Sequence, residues 1–286
     1  MMDKGYWIQQ VEVLAGQKKF TNEGKDALEI EFDIPFSNNK EPDIAEITIY
    51  NLSDSSIEQI KKDGYIMVNA GYKQLGNIAN IFTGQIEEVA TEWLYVDKVT
   101  KIKATDGGDA WRKIKVNKTY QKNTKASDIM RDLANAMGYE ITKIEPKEDI
   151  TYKLGKTITS YASTSLDQLA KDTKSKLFIN KNRITIADED KGNNTGVLLN
   201  ENSGLIGTPS MIKDETGDKN DDRDYEANKK ENDKERKAWR VRSLLNPIFE
   251  TDTIIKVESR TINGEYRIVR GVHNRDFNTE LVVVEA

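Results

Sequence analysis

The amino-acid sequence predicts a mainly β fold with a smaller α/β part between its two β-rich ends. Apolar and polar residues alternate along the first hundred residues, which is typical of antiparallel strands with one buried face. Residues 124–138 instead repeat apolar side chains at helical spacing. Near the C-terminus, an Asn263-Gly264 pair separates two alternating segments and indicates a β-hairpin. These three patterns predict strands at both ends of the chain and helices mainly in its middle.

The first part reads as a series of strands with one short helix. Its clearest strand is ALEIEFDIPF, whose apolar face comprises Leu28, Ile30, Phe32, Ile34 and Phe36. AEITIYNL repeats the alternation, and YIMVNAGY, NIFTGQIEEVATEW and YVDKVTKIKATD are further strand candidates separated by Gly and Asn. A helix is predicted to begin after Ser53 as its N-cap, to place Ile57 and Ile60 on one face, and to end at Gly64.

The middle part, residues 106–190, is predicted to be a small α/β unit. In TKASDIMRDLANAMG the apolar stripe comprises Ile129, Met130, Leu133 and Met137, and Gly138 follows as a left-handed stop. TSLDQLAKDT is a second predicted helix behind a Ser/Thr cap, with an apolar stripe of Leu166, Leu169 and Ala170. KLFINKNRITIAD follows as two short strands joined by a tight Asn-containing turn.

The last part, residues 191–286, returns to strands. TIIKVESRTI and EYRIVRGVH flank Asn263-Gly264, so we predict a hairpin with a type I′ turn at that pair. WRVRSLL and TELVVVEA are further strand candidates.

A run of charge, KDETGDKNDDRDYEANKKENDKERK, occupies residues 213–237, and 18 of its 25 residues are Asp, Glu, Lys or Arg. Such a composition cannot bury enough apolar surface to fold alone, so the run is predicted to be a charged flexible loop. A long charged hairpin or helix that reaches a partner is the alternative.

Composition excludes several classes of protein. The 286 residues contain no Cys, so disulfides and thiolate metal sites are impossible. The net charge of -5 argues against a protein that binds duplex DNA by neutralising phosphates. No apolar stretch approaches about 20 residues, so no membrane span is predicted.

Motifs of catalysis are not found in the sequence. His273 is the one histidine, in a strand-like segment, and we interpret it as structural. The densest acidic turns, Asp106-Gly107-Gly108-Asp109 and Asp188-Glu189-Asp190, are interpreted as solvated loops. We therefore predict no catalytic, cofactor-binding or metal-ligating residue, no cofactor, and a protein that is not an enzyme.

Several segments, in their order and spacing, resemble a known family. Near the start these are VEVLAGQKKF, IYNLSDSSIEQIKKDGYIMVNAGY and IFTGQIEE. In the middle they are ATDGGDAWRKIKVNKTYQKNTKASDIMRDLANAMG and SLDQLAKDTKSKLFINKNRITI, and near the end SGLIGTPSM, WRVRSLLNP and YRIVRGVHNRDFNTEL. Together they resemble the tail hub proteins of bacteriophages and related tail-like particles, a family that includes the late control D group and the baseplate hubs of Gram-positive prophages.

The resemblance implies a structural protein with two tube-like β-barrel domains and an inserted helix-containing unit. The first barrel is expected at residues 1–105, the α/β domain at 106–190, and the second barrel at 191–286, with 213–237 as its flexible loop. Three copies of such a hub form a ring that joins the tail tube to the tip or baseplate. DNA passes through the ring without specific binding.

The resemblance also implies partners and a location. The expected partners are two further copies in a homotrimer, the tail tube or distal tail protein, the tape measure protein, and the tip or spike protein. The expected location is the tail tip or baseplate of the virion, after assembly in the host cytoplasm.

Two other classes of function stay open at this stage. One is a tail-tip cell-wall hydrolase that uses a pair of carboxylates, since Asp and Glu are plentiful. The other is a module that binds glycans or single-stranded nucleic acid, which would require clustered aromatic side chains. The four tryptophans are instead dispersed along the chain, at Trp7, Trp93, Trp111 and Trp239, and better suit core or interface anchors.

Overall fold

A computed structural model describes residues 8–38, 42–188, 191–212 and 237–286. Within these residues the chain forms 20 strands, four short α-helices and one three-residue 3-10 helix at Lys73–Leu75. The predicted fold class, mainly β with a smaller α/β part, is confirmed. The predicted charged loop at 213–237 lies outside the described residues except for Lys237, as does Trp7.

The first part of the chain forms one antiparallel set of strands. These are β1 (Gln9–Ala15), β2 (Lys18–Thr21), β3 (Ile30–Ser37), β4 (Ile44–Tyr50), β5 (Tyr65–Tyr72), β6 (Ala79–Leu94) and β7 (Asp97–Thr105). Their order in the sheet is β3-β4-β7-β6-β5-β1-β2. The alternation predicted from the sequence matches the burial, since Ala45, Ile47 and Ile49 of β4 are buried and the residues between them are not.

Side chains from all seven of these strands share one buried cluster, the first core. It includes Val13 of β1, Phe32 of β3, Ile47 of β4 and Phe82 of β6. Of the helices in the described residues, only α1 (Asp54–Ile57) contributes, through the half-buried Ile57. Because no layer of helices in the described residues covers this apolar face, we expect the sheet to curl around it, as in a barrel wall.

The middle part is the α/β unit. It comprises α2 (Gly108–Lys113), β8 (Lys115–Tyr120), β9 (Thr124–Lys125), α3 (Ala126–Ala136), β10 (Glu140–Glu145), β11 (Thr151–Tyr152), β12 (Lys156–Tyr161), α4 (Ala162–Asp172), β13 (Ser175–Asn180) and β14 (Arg183–Asp188). A three-stranded sheet has the order β10-β14-β13, with β10 parallel to β14. Helices α3 and α4 pack on this sheet through their predicted apolar stripes to form the second core. Gly138 follows α3 with a φ of 77°, as predicted.

Two predicted helix boundaries were wrong. Helix α1 begins after its predicted cap, Ser53, but ends at Ile57, and the chain continues in tight i to i+3 turns that bring Ile60 into the first core. Helix α4 has Tyr161 rather than Ser or Thr at its N-cap. Its first N–H group, on Ala162, donates to the carbonyl of Ile114 at 2.9 Å, which satisfies one of the four N–H groups left free at the start of the helix.

The last part is a second set of strands. These are β15 (Asn193–Leu199), β16 (Leu205–Met211), β17 (Ala238–Leu244), β18 (Thr253–Glu258), β19 (Asn263–Asn274) and β20 (Asn278–Glu285). Hydrogen bonds join them in the order β16-β17-β20-β19-β18-β15. Their buried side chains, among them Val241 and Ile268, form the third core together with Phe249 from the segment between β17 and β18.

Strand β19 joins the two strand sets into one sheet of 13 strands. Along one edge, its residues 263–267 pair with β18 and its residues 270–274 pair with β3. The predicted hairpin is therefore present, but its predicted turn was wrong: Asn263 and Gly264 belong to β19 and pair with Glu258 and Val257. The turn lies at residues 259–262, because β3 already occupies the distal edge of β19 and β18 can use only its beginning.

At this junction, side chains from each part of the chain pack in the core of the other part. Phe36 of β3 belongs to the third core, whereas Leu245 and Phe277, from the last part of the chain, belong to the first core. The two strand sets are thus bound together by packing as well as by hydrogen bonds. The predicted domain boundaries at residues 105 and 190 stay predictions.

Candidate functional site at the junction of the three cores

The tight turn between β13 and β14 docks the α/β unit onto the end of β7. Lys181 and Asn182 form this turn, with φ values of 53° and 58°. Their backbone N–H groups donate to the two carboxylate oxygens of Asp106, each at 2.5 Å. Burial raises the pKa of Asp106 to about 7, although the two N–H donors oppose this shift. The carboxylate thus acts as a structural clamp on the turn.

A second set of ionic contacts connects the same turn to the segment before β18. The buried ammonium of Lys181 pairs with the carboxylate of Glu250 and lies 3.4 Å from the carbonyl of Pro247. Arg183 reaches the same carboxylate at 3.3 Å. Burial lowers the pKa of Lys181, and the attraction of Glu250 opposes this shift. Glu250 therefore holds two cations of the α/β unit against the second strand set.

A third contact lies along strand β13. The ammonium of Lys176 pairs with the carboxylate of Asp252, and Arg267 of β19 lies 3.7 Å from the same group. Burial raises the pKa of Asp252 and lowers the pKa of Lys176, and the pairing opposes both shifts. Removing one member would leave an uncompensated buried charge, which is strongly destabilising. These ionic contacts fix the position of the α/β unit relative to the β sheet.

A cleft of about 600 Å³ opens at this place, and we name it the junction cleft. The first strand set contributes Met67 and Thr83, the α/β unit contributes Arg183, and the last part contributes Ile248 and Thr253. Of its four charged side chains, Lys181, Arg183 and Glu250 are paired with one another, and Glu140 is the fourth. In the part of the chain that the structure describes, no group of three or more His, Asp or Glu side chains could hold a metal ion.

The structure places the residues that the sequence singled out in different surroundings. Asp106 was predicted to lie in a solvated turn and is instead buried, because the turn at Lys181 covers it. Asp188 lies at the end of β14, 3.4 Å from Lys147, whereas Glu189 and Asp190 lie outside the described residues. Four pairs of residues that contact each other at this junction are 69 to 76 residues apart in sequence: Lys176 and Asp252, Lys181 and Asp106, Lys181 and Glu250, and Asn182 and Asp106. No local pattern could have paired them.

His273 is buried in β19 and does not face the junction cleft. Its Nδ1 lies 2.9 Å from Oγ1 of Thr279, and its ring packs 4.9 Å from that of Phe36. Burial, with a smaller effect of the Lys181 charge, lowers the pKa of His273 to about 3, so the ring is neutral at physiological pH. These contacts support its structural interpretation.

The described helices have at most 11 residues, and none of them could cross a membrane. The described fold is mainly β with a docked α/β unit. Solved structures of tail proteins share it. The 43 kDa tail protein of prophage MuSo2 from Shewanella oneidensis is similar with a TM-score of 0.68 and 12% identity, over 97% of this chain and 98% of that protein.

Two further structures show the same likeness. A tail protein from Neisseria meningitidis MC58 is similar with a TM-score of 0.64 and 11% identity, over 98% of this chain and 97% of that one. A component of the type VI secretion system of E. coli is similar with a TM-score of 0.59 and 10% identity, over 91% of this chain and 74% of that one. At these identities the likeness shows the fold alone. No curated protein matches the chain.

The family follows from the sequence. The model of the family described as baseplate hub gp41 matches residues 2–219, and the chain belongs to this family. The predicted family and the predicted role, a structural hub of a phage tail or tail-like particle, are confirmed.

Proposed function

We propose that three copies of the chain form a closed ring with an open centre, which joins the tail tube to the tip or baseplate. The observation that carries the proposal is the pairing of β3 with β19, which joins the two strand sets side by side in one sheet. Three copies would then supply six strand sets around one axis. A tail tube of six-fold symmetry would find a matching wall on one side of such a ring, and a three-fold tip would match its other side.

The three-domain organisation is part of this proposal. The first domain, residues 1–105, and the third, residues 191–286, form the wall of the ring, and the domain of residues 106–190 decorates it. The three buried cores support this division, and the ionic contacts at the junction cleft support a fixed position for the middle domain.

The open centre is proposed to let DNA pass without binding it. The net charge of -5 supports this role, because an acidic protein repels phosphates. We further propose that the ring contacts the tail tube or distal tail protein, the tape measure protein and the tip or spike protein. It would assemble in the host cytoplasm and reside in the virion.

The test is the mass and shape of the purified protein. Light scattering over a range of concentrations should give the mass of three 32.5 kDa chains, and negative-stain images should show a three-fold ring with an open centre. The tail-tube and tip proteins are added in a second series, because assembly can require a template. A compact monomer in both series would contradict the ring.

The proposed hub acts without catalysis. Purified peptidoglycan incubated with the protein should release no soluble fragments above a heat-inactivated control. Sustained release that is lost when one specific Asp or Glu is replaced would overturn this part of the proposal.

A further inference from the structure

The hairpin of β6 and β7 projects beyond the rest of the sheet. Strand β5 pairs with β6 only as far as Gln85, and β4 pairs with β7 only from Val99 onward. Within the sheet, residues 93–94 and 97–98 therefore pair only with each other, and Asn51 hydrogen-bonds to residues 97 and 98 beside them. Between them lies the hairpin tip, which we define as residues 93–96.

The hairpin tip is a continuous apolar surface. The exposed fractions are 68% for Trp93, 54% for Leu94, 96% for Tyr95 and 83% for Val96. Four large apolar side chains in a row at this exposure are unfavourable in water and mark an interaction site. Trp and Tyr are also the residue types that anchor protein interfaces.

The charges beside the hairpin tip are paired. Lys98 lies 2.7 Å from Asp54, and Lys101 lies 2.7 Å from Glu92. The surface therefore has no cationic excess for a nucleic acid or an anionic membrane. Its chemistry fits an apolar recess on a protein.

The junction cleft on the same chain is a recess of mixed lining, with four apolar residues among its fourteen. Met67 and Ile248 line it with exposed fractions of 40% and 50%, and Pro247 adds a third apolar side chain. Its volume of about 600 Å³ is ample for the two aromatic side chains of the hairpin tip. Lys181, Arg183 and Glu250 are paired with one another inside it, so an apolar occupant need not separate these ions, and the fourth charged lining residue, Glu140, is exposed to solvent.

The hairpin tip cannot reach the cleft of its own chain. Thr83 lines the cleft and Trp93 begins the tip, and both belong to β6. The ten residue steps from Thr83 to Trp93 span about 33 Å at about 3.3 Å per residue. Hydrogen bonds to β7 keep this part of β6 extended. The cleft and the hairpin tip thus lie at opposite ends of one extended strand, and only a second copy can bring them together.

We propose that the hairpin tip of one copy docks in the junction cleft of the next copy. This inference rests on the proposed ring and names the contact that closes it. Trp93 and Tyr95 would each bury on the order of 150–250 Å². A stable interface needs about 800 Å² per partner, so these two side chains supply roughly half and the rim of the cleft the rest. A head-to-tail contact of this kind forms a ring when its rotation closes.

The absence of cysteine from the native chain allows a direct test. Two single variants, Tyr95→Cys and Ile248→Cys, are mixed and oxidised over a range of protein concentrations. A disulfide requires Cα atoms within about 7 Å, so a cross-linked dimer that contains one of each variant reports the proposed contact. The matched control pairs Ile248→Cys with Leu154→Cys, since Leu154 is equally accessible but lies outside both surfaces.

The expected result is a mixed dimer from the Tyr95→Cys and Ile248→Cys pair well above the control. A second variant, Trp93→Ser with Tyr95→Ser, should weaken self-association at least about tenfold and leave the thermal melt unchanged, because both side chains are exposed. A Leu154→Ser variant should associate like the native chain.

The contact and the ring can fail separately. If the native chain has the mass of a trimer but the mixed dimer does not exceed the control, the ring stands and the contact is overturned. If Tyr95→Cys cross-links instead to the added tail-tube or tip protein, the hairpin tip belongs to that partner and the inference is wrong. If no mixed dimer forms at any concentration, with or without those proteins, the contact is likewise refuted.

Discussion

Phe277 connects the two strand sets, and its replacement should show how strongly they depend on each other. It lies in the turn between β19 and β20, but its ring is buried in the first core, 5.5 Å from that of Phe32. Its carbonyl accepts hydrogen bonds from the hydroxyl of Tyr72 at 3.0 Å and from the N–H of Leu245 at 2.8 Å. Its φ is 54°, a conformation that favours glycine.

The magnitudes follow from these contacts. Phe277→Ala should reduce the free energy of unfolding by about 3–5 kcal/mol, because a buried ring is removed and a cavity remains. Phe277→Gly should reduce the free energy of unfolding by about 1 kcal/mol less than Phe277→Ala does, because glycine relieves the strain of the left-handed backbone conformation and alanine does not. Tyr72→Phe should cost only about 0.5–1.5 kcal/mol, because the Phe277 carbonyl keeps its bond from Leu245.

Equilibrium unfolding in guanidinium chloride, followed by far-UV circular dichroism and tryptophan fluorescence, measures these losses. The matched control is Phe249→Ala, which removes an equally buried ring that lies wholly within the third core. We expect coincident curves from the two probes for the native chain and the control, and separated curves for Phe277→Ala. A loss below about 1 kcal/mol for Phe277→Ala, or alanine more stable than glycine there, would refute the reasoning.

Three further predictions concern single features of the fold. Because the pKa of Asp106 is raised from 3.8 to about 7, the folded state binds more protons between these values. As pH rises from about 4 to about 7, the free energy of unfolding of the native chain should therefore fall by up to about 4 kcal/mol relative to that of Asp106→Asn. Urea unfolding measures it, and a difference between the two proteins that does not change with pH would contradict the prediction. Replacing residues 213–237 by a short turn should leave the thermal melt unchanged, because Ile212 already donates to the carbonyl of Ala238 at 2.9 Å. The same replacement should weaken assembly. A collapsed melt would show that the run is part of the fold. Gly138→Ala should cost about 1 kcal/mol in chemical unfolding, because φ is 77° there although the space is open, and no loss would disprove that strain.

The local patterns of the sequence were reliable where one element buries one face. The alternation in β4 predicted which of its residues are buried, and the stripe of α3 predicted the side chains that enter the second core. In both cases the periodicity is set by the geometry of a single element, so a short window of sequence contains it. The family was likewise accessible from the sequence, because its segments keep their order along the chain.

The junction was decided by the tertiary structure. The sequence contained the hairpin of β18 and β19, but the competition of β3 for the same edge moved its turn away from Asn263-Gly264. The sequence placed Asp106 in a solvated turn, but a turn 75 residues later buries it. Strand pairing and buried ion pairs depend on which distant segments meet in space. The local periodicity of the sequence does not encode these long-range contacts. The sequence by itself therefore determined the elements and their apolar faces, and the tertiary structure alone decided how the three cores were joined.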